Sequence, residues 1–302
     1  MTDSDSNRLD DLETHTILLT GGTSGIGRVA AGRFAERGAT VAIVGRNGAR
    51  GERIADELTN RTPGTVRFHR TDLAERAAVR ALADEVRETY DRLDVLAHNA
   101  GLSSRTRSET ADGIELTVAV NHLAPYLLTH DLLDRVRESA PARIVVTASG
   151  IHRRGDLEFS DGKFAFESET DAEYDSLETY ARSKLANVAF TVELAERLSG
   201  DVTANCFHPG FVPSTGLFRE APLWTRAAMR IMSAVPGVGS TPERGAERLV
   251  RLATAPEFRE RSGLYVGSGG AETPAAGATD PERRERLWTR SADLVGVDPN
   301  WP

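Results

Sequence analysis

A single cysteine, Cys206, in a chain of 302 residues excludes any intramolecular disulfide, and with it the small cysteine-stapled scaffolds of secreted proteins. Lysine is nearly as scarce, occurring only at Lys163 and Lys184. No apolar run is long enough to span a bilayer, and Met1–Glu13 is acidic and polar where a signal peptide needs a basic start and an apolar stretch. The expectation is a cytoplasmic chain without a membrane span. Basic runs are also missing and the formal charge is −8, which argues against nucleic acid as a partner. What remains is ordinary for a folded protein: 39% hydrophobic and 27% charged residues are enough to build a core. The length suits one elaborated domain, residues 14–302 behind a polar extension of residues 1–13.

Seven short β-rich runs are separated by helical patterns: His15–Thr20, Thr40–Val44, Val66–Arg70, Asp94–His98, Arg143–Thr147, Val202–Phe207 and Gly263–Val266. Between them, Gly25–Glu36, Ala49–Leu58, Glu75–Tyr90, Ile114–Glu138 and Leu177–Leu198 carry apolar residues at three- and four-residue steps. This alternation predicts an α/β fold, a doubly wound Rossmann-type sheet of about seven parallel strands with helices on both faces. Two stretches break the rhythm. Residues 151–178 are rich in charge and glycine. Residues 211–238 set Phe211, Phe218, Trp224, Met229, Ile231 and Met232 among Pro213, Pro222 and Pro236. Ligands sit outside the carboxyl ends of strands in such sheets, so both stretches are expected to wall a substrate pocket; an extra core helix is the alternative for the second.

The first strand runs into Gly21-Gly22-Thr23-Ser24-Gly25-Ile26-Gly27 and then a helix. Gly21 permits a tight turn, Gly25 lets backbone approach a pyrophosphate, and Gly27 lets helix and strand pack closely, while the helix N-terminus offers free N–H groups to an anion. Thr23, Ser24 and Ile26 therefore join the glycines as candidate cofactor contacts. The second strand ends in Gly45-Arg46, where an acid would select NAD and an arginine can pair with a 2′-phosphate. Arg46 favours NADP(H); if it only covers the adenine face, NAD(H) is compatible as well. Asp72, followed by Leu73 after the third strand, either caps the next helix or touches adenine.

Tyr180 and Lys184 are four apart in a helical segment and so share one face. An isolated phenol titrates near pH 10, and a neighbouring ammonium favours its phenolate, which makes the pair a tunable proton shuttle. Ser149 ends the fifth strand, where a hydroxyl can donate to a substrate oxygen as charge develops on it. His122 and His152 lack metal-ligand spacing, His208 before Pro209 reads as a loop-shaping residue, and Cys206 within a β-run reads as core.

Taken in order, Thr20-Gly21-x-x-x-Gly25-x-Gly27, Asn99-Ala100-Gly101, Asn121, Ser149, Tyr180-x-x-x-Lys184 and Pro209-Gly210 resemble the classical short-chain dehydrogenases/reductases over nearly the whole chain. Asn121-His122-Leu123, Ser183-Lys184-Leu185-Ala186-Asn187, His208-Pro209-Gly210 and Glu285-Arg286-Leu287-Trp288 are similar to strings of the retinol dehydrogenase-like branch, and light-dependent protochlorophyllide reductases share part of this pattern. The resemblance implies that Tyr180 is the general acid/base, Lys184 binds the nicotinamide ribose, Ser149 orients the substrate oxygen and Asn121 holds a water of the proton relay. It further implies that Asn99, Ala100 and Gly101 flank the adenosine-ribose side. Pro209, Gly210, Val212 and Ser214 or Thr215 would then run past the nicotinamide. His98 stands where the family commonly has asparagine, and Ala148 replaces the first serine of a frequent pair.

These readings converge on an NADP(H)-dependent oxidoreductase that moves a hydride between nicotinamide and a small-molecule carbonyl or alcohol, with a lipophilic aldehyde or ketone expected from the apolar 211–238 stretch. A non-catalytic NADP(H)-binding regulator and a light-dependent pigment reductase are the alternatives. By analogy a homo-oligomer is expected, paired through Ile114–Glu138 and Leu177–Leu198.

Overall fold

The first strand, β1 (Thr16–Thr20), is buried along its whole length, and its neighbours set the fold. In the computed structural model, which describes residues 11–160, 163, 164, 167, 170–212 and 239–302, β1 pairs in parallel with β2 (Thr40–Gly45) on one side and β4 (Val95–His98) on the other. The chain winds outward through β2 to β3 (Thr65–Arg70), then returns across β1 and winds the opposite way through β4, β5 (Ala142–Thr147), β8 (Val202–Phe207) and β9 (Tyr265–Gly267). These are the seven expected parallel strands. An eighth, β10 (Gly270–Glu272), folds back antiparallel on β9 and closes the edge. A separate two-stranded hairpin, β6 (Phe159–Ser160) with β7 (Lys163–Phe164), lies in the stretch after β5. The reversal of winding between β1 and β4 leaves a crevice at their carboxyl ends, the place where such sheets take ligands.

Alternation along β1 sends Leu18 into one core and Ile17 and Leu19 into the other. The core around Ile17 and Leu19 is closed by α1 (Gly25–Ala35), α2 (Gly48–Thr59) and α7 (Pro242–Thr254). The opposite core is closed by α3 (Arg76–Thr89), α5 (Ala124–Glu138) and α6 (Ser176–Arg197). Leu12 already belongs to the first core, so residues 11–13 pack with the domain and do not trail from it.

The segment expected as one helix over Ile114–Glu138 is instead three pieces: α4 (Leu116–Val118), a π-helical turn (Ala119–Leu123) and α5. The reason is Pro125. It has no N–H to give to the carbonyl of Asn121 four residues back, and its ring crowds that carbonyl, so the helix opens by one residue. α6 starts where it does because Asp175 accepts hydrogen bonds from the N–H groups of Leu177 and Glu178, at 2.8 and 2.9 Å.

After β10 the chain forms a short helix, α8 (Ala276–Thr279), and then α9 (Pro281–Val295), which packs on α6 and α5. Trp288 of α9 and Trp301 of the tail stack at 4.4 Å, and the Trp301 indole donates to the Tyr126 hydroxyl of α5 at 2.9 Å. The C-terminal segment thus packs against both long helices. Replacing Trp301 by Ala should lower the unfolding free energy by about 3–5 kcal/mol, the usual cost of truncating a buried tryptophan. Urea titration measures it, and a loss no larger than that of a surface substitution refutes the clamp.

Candidate active site

Loop geometry at the end of β1 follows from its glycines. Gly21 has φ +71°, and a Cβ there would come within 2.9 Å of the Ala100 Cα; one on Gly27 would come within 2.3 Å of the Gly21 carbonyl oxygen. No larger residue fits either place. Ser24 precedes α1 without a side-chain capping bond, so its first-turn N–H groups remain available to an anion. Thr20 ties the next strand to this loop: its hydroxyl accepts from the N–H of Asn99 at 3.0 Å and of Ala100 at 3.1 Å. The Asn99 amide donates in turn to the Thr20 carbonyl at 3.1 Å. Asn99 is therefore spent on holding the loop.

A cavity of about 1150 Å³ runs across the carboxyl ends of the strands. Gly21, Thr23, Ser24, Gly25 and Ile26 line one part, Arg46, Asp72 and Leu73 the far end, and Asn99, Ala100 and Gly101 the middle. Ser149, Tyr180 and Lys184 line the other end with Pro209, Gly210 and Val212. Gly27 supports the loop from behind. Ser214 and Thr215 lie outside the described residues, as do the apolar residues of 213–238. The side-chain-free surface of the glycine loop, the uncapped helix terminus and the elongated cavity fit an extended dinucleotide, whose phosphates the first turn of α1 would hold.

At the adenosine end, the Arg46 guanidinium lies 3.8 Å from the Asp72 carboxylate, both partly exposed. Asp72 does not cap the next helix; Glu75 occupies that position, and Asp72 makes a turn to the Ala74 N–H at 3.1 Å. Asn47 and Arg50 also line this end, one turn into α2. Reading the strand end alone missed Arg50, whose only signal is its four-residue step from Arg46.

At the other end three elements meet. Lys184, 3% exposed, donates from Nζ to the Thr147 carbonyl of β5 at 3.0 Å and lies 5.7 Å from the centre of the Tyr180 ring. The Ser149 hydroxyl stands on the Tyr180 side of the cavity, where it favours the phenolate. Burial pushes Tyr180 up to about 12, and the Ser149 hydrogen bond pulls the other way. Burial pushes Lys184 down to about 8. The protein alone therefore holds the phenol protonated at neutral pH, and the lowering expected from the ammonium does not overcome desolvation.

Asn121 sits in the π-helical turn. Its side chain accepts from the Leu102 N–H at 2.8 Å and donates to the Leu102 carbonyl at 2.9 Å and the Ser183 hydroxyl at 3.0 Å. The side chain is thus a strap between the loop after β4 and α6. Ser183 was missed by sequence reasoning, although its place between Tyr180 and Lys184 puts it on the helix flank nearest Asn121. A Cβ on Gly101 would lie 3.3 Å from both Lys184 Nζ and Asn121 Oδ1, so a side chain there would crowd both groups.

The exposed large apolar side chains among the described residues are Leu177, at 51%, and Phe211, at 40%, and both line this cavity with Ile151. No cluster of three metal-ligating side chains occurs among the described residues, and no described helix is long and apolar enough to cross a membrane. His98, at the end of β4, is fully buried against Thr129 and pushed down to about 3; His122 is pushed down to about 4 for the same reason.

Residues 15–160 match the family described as short chain dehydrogenase. The chain is 39% identical to dehydrogenase/reductase SDR family member 13 of Bos taurus over 96% of this chain and 76% of that protein. It is 36% identical to retinol dehydrogenase 14 of Mus musculus over 93% of this chain and 86% of the relative. Among solved structures it is similar to an uncharacterized protein from Mycobacterium paratuberculosis, at 28% identity, 94% coverage of both chains and a TM-score of 0.74.

The buried histidines give the site a testable acid limit. Folded His98 takes a proton only near pH 3 while the unfolded imidazole takes one near 6.5, so between these values the unfolded state binds more protons and stability falls as pH falls. Denaturant titrations from pH 7 to 4 should show a smaller acid loss in His98→Asn than in the wild type; identical slopes refute the assignment.

Proposed function

The chain belongs to the short-chain dehydrogenase/reductase family, in its retinol dehydrogenase-like branch, and on that premise we propose that it uses NADP(H) to interconvert a lipophilic aldehyde or ketone and the matching alcohol. Oxidoreduction at CH–OH or C=O with a nicotinamide cofactor is the property of the family. The reading of the site rests on one observation: Ser149 and the Tyr180 phenol stand beside buried Lys184, in a cavity continuous with the glycine loop at one end and rimmed by Leu177, Phe211 and Ile151 at the other.

When bound, the nicotinamide supplies or accepts the hydride at the carbonyl carbon. The protein handles the proton. Tyr180, held protonated by burial, gives its proton to the substrate oxygen as negative charge builds there, and the Ser149 hydroxyl donates a second hydrogen bond to the same oxygen. Lys184 supplies positive charge beside the phenolate that this leaves, fixed by the Thr147 carbonyl. Reprotonation runs through the opening at Asn121. In the oxidising direction the same groups act in reverse, with the phenolate as base.

Two features support the finer points. Leu177 and Ile151 give this end of the cavity an apolar lining that suits an aliphatic or polyene substrate; the relatives named for retinol fit such a substrate. For the cofactor, β2 ends without a carboxylate, and Arg46 and Arg50 offer two guanidinium groups to a 2′-phosphate.

NADPH oxidation across a carbonyl panel tests the chemistry. Long-chain or polyene aldehydes should turn over faster than polar sugar ketones. Tyr180→Phe should lose about 10²–10⁴-fold in kcat while still binding NADPH. Wild-type protein that binds NADPH and shows no tyrosine-dependent turnover, in dark or light, would favour a regulator. The cofactor preference has its own check: Arg46→Ala should raise KM for NADPH about 10-fold or more, the worth of a charge-assisted hydrogen bond, and leave KM for NADH nearly unchanged. An equal effect on both cofactors removes the 2′-phosphate contact.

A further inference from the structure

Ser149 is held by more than its place at the end of β5. Its carbonyl accepts two hydrogen bonds from one residue, the backbone N–H of His152 at 3.1 Å and the ring Nδ1 of His152 at 2.8 Å. The far nitrogen of that ring, Nε2, faces the N–H of Ala275 at 3.1 Å. An N–H pointing at Nε2 requires a lone pair there, so the ring proton sits on Nδ1, aimed at the Ser149 carbonyl. Both nitrogens are used and the tautomer is fixed. The ring is fully buried, against Tyr265 at 4.7 Å, and burial together with the nearby Arg153 and His208 pushes its titration down, which keeps it neutral.

The partners at the two ends of the imidazole lie on parts of the chain that also touch α6. Ala275 immediately precedes α8, which packs on α6. Within the turn that His152 belongs to (Gly150–Arg154) and the residue closing it, a Cβ on Gly155 would fall 2.6 Å from the carbonyl of Ala181, next to Tyr180. The segment that carries Ser149 and the helix that carries Tyr180 are therefore locked together twice, once by this close approach and once through the imidazole.

The Ser149 hydroxyl has the corresponding freedom. Its oxygen accepts from the Ile151 N–H at a long 3.5 Å, which leaves the hydroxyl proton for Tyr180 or a substrate oxygen and leaves its direction to the backbone. We propose that His152 is a positioning residue that aims the Ser149 hydroxyl at the reacting oxygen by gripping the Ser149 carbonyl and tying it to Ala275. This role rests on the oxidoreductase reading of Ser149 and Tyr180 given above. Spacing alone disguised it: His152 lies three residues past Ser149, where a charged, glycine-rich loop gives no hint that the ring turns back.

The test is a double-mutant cycle on the full chain, with kcat, KM for an aldehyde and the NADPH dissociation constant measured for each variant. His152→Ala should lower kcat about 10- to 100-fold, the scale of a small misplacement of a reacting group, with aldehyde KM and NADPH affinity unchanged. His152→Asn should recover most of kcat, since its amide can donate to the same carbonyl, whereas His152→Gln, whose amide reaches toward Ala275, should not. In a Ser149→Ala background the His152→Ala change should cost nothing further. Equal losses in both backgrounds, a parallel loss of NADPH affinity, or Gln recovering as well as Asn overturns the proposal. If His152→Ala does not fold, the order of Asn and Gln decides alone. Wild-type kcat in Ser149→Ala would instead overturn the reading of the site itself, so the two failures are distinct.

Discussion

An ammonium buried in a low-dielectric interior is costly, and the rest of this site is arranged around one that stays. Lys184 is held by the carbonyl of Thr147, a strand end meeting a helix side chain, and that contact fixes α6 against β5. Once this distance is set, Tyr180 one turn earlier on α6 and Ser149 two residues beyond Thr147 must face each other. The desolvation that lowers the lysine to about 8 also raises the tyrosine to about 12. One physical cause thus leaves the phenol protonated and leaves the cation responsive to charge that arrives with ligands.

The two ends of the cavity are mechanically linked by short polar straps. Thr20 joins the phosphate loop to Asn99 and Ala100, and Asn121 joins the next residues, through Leu102, to Ser183 on α6. Gly101 lies between them, where a Cβ would press on Lys184 Nζ and Asn121 Oδ1, each 3.3 Å away. The glycine loop before α1 and the phenol on α6 are therefore connected through about two residues of backbone after β4. The π-helical turn belongs to the same device: the helix opens just before Pro125, where the Asn121 side chain reaches both Leu102 and Ser183.

The opposite side of α6 serves stability. Trp288, Trp301, Tyr126 and Phe190 form a contiguous aromatic cluster, with the Arg197 guanidinium 4.5 Å from the centre of the Trp288 ring. α6 is thereby anchored on its far side while its near side carries Tyr180 and Lys184. The C-terminal segment contributes twice, through this cluster and through Ala275, which reaches back to the turn that holds Ser149.

Residue order alone determined the parallel sheet, because strands buried on both faces must be apolar throughout and the helices between them must show their periodicity. It also determined the glycine loop, since no side chain fits Gly21 or Gly27, and the Tyr180–Lys184 pair, since a four-residue step on a helix fixes a shared face. Its limits were equally physical. The antiparallel β10 is three residues long with two-sided polarity, too short for a period to register. The break in the long helix depended on a proline that has no N–H for the carbonyl four residues back. Arg50, Ser183 and His152 acquire their places from contacts between segments distant in the chain or from a loop that doubles back, and hydrogen bonds across such distances leave no periodic trace. The protonation preferences of Tyr180 and Lys184 were decided by burial, a property of the packed interior that no spacing of residues encodes.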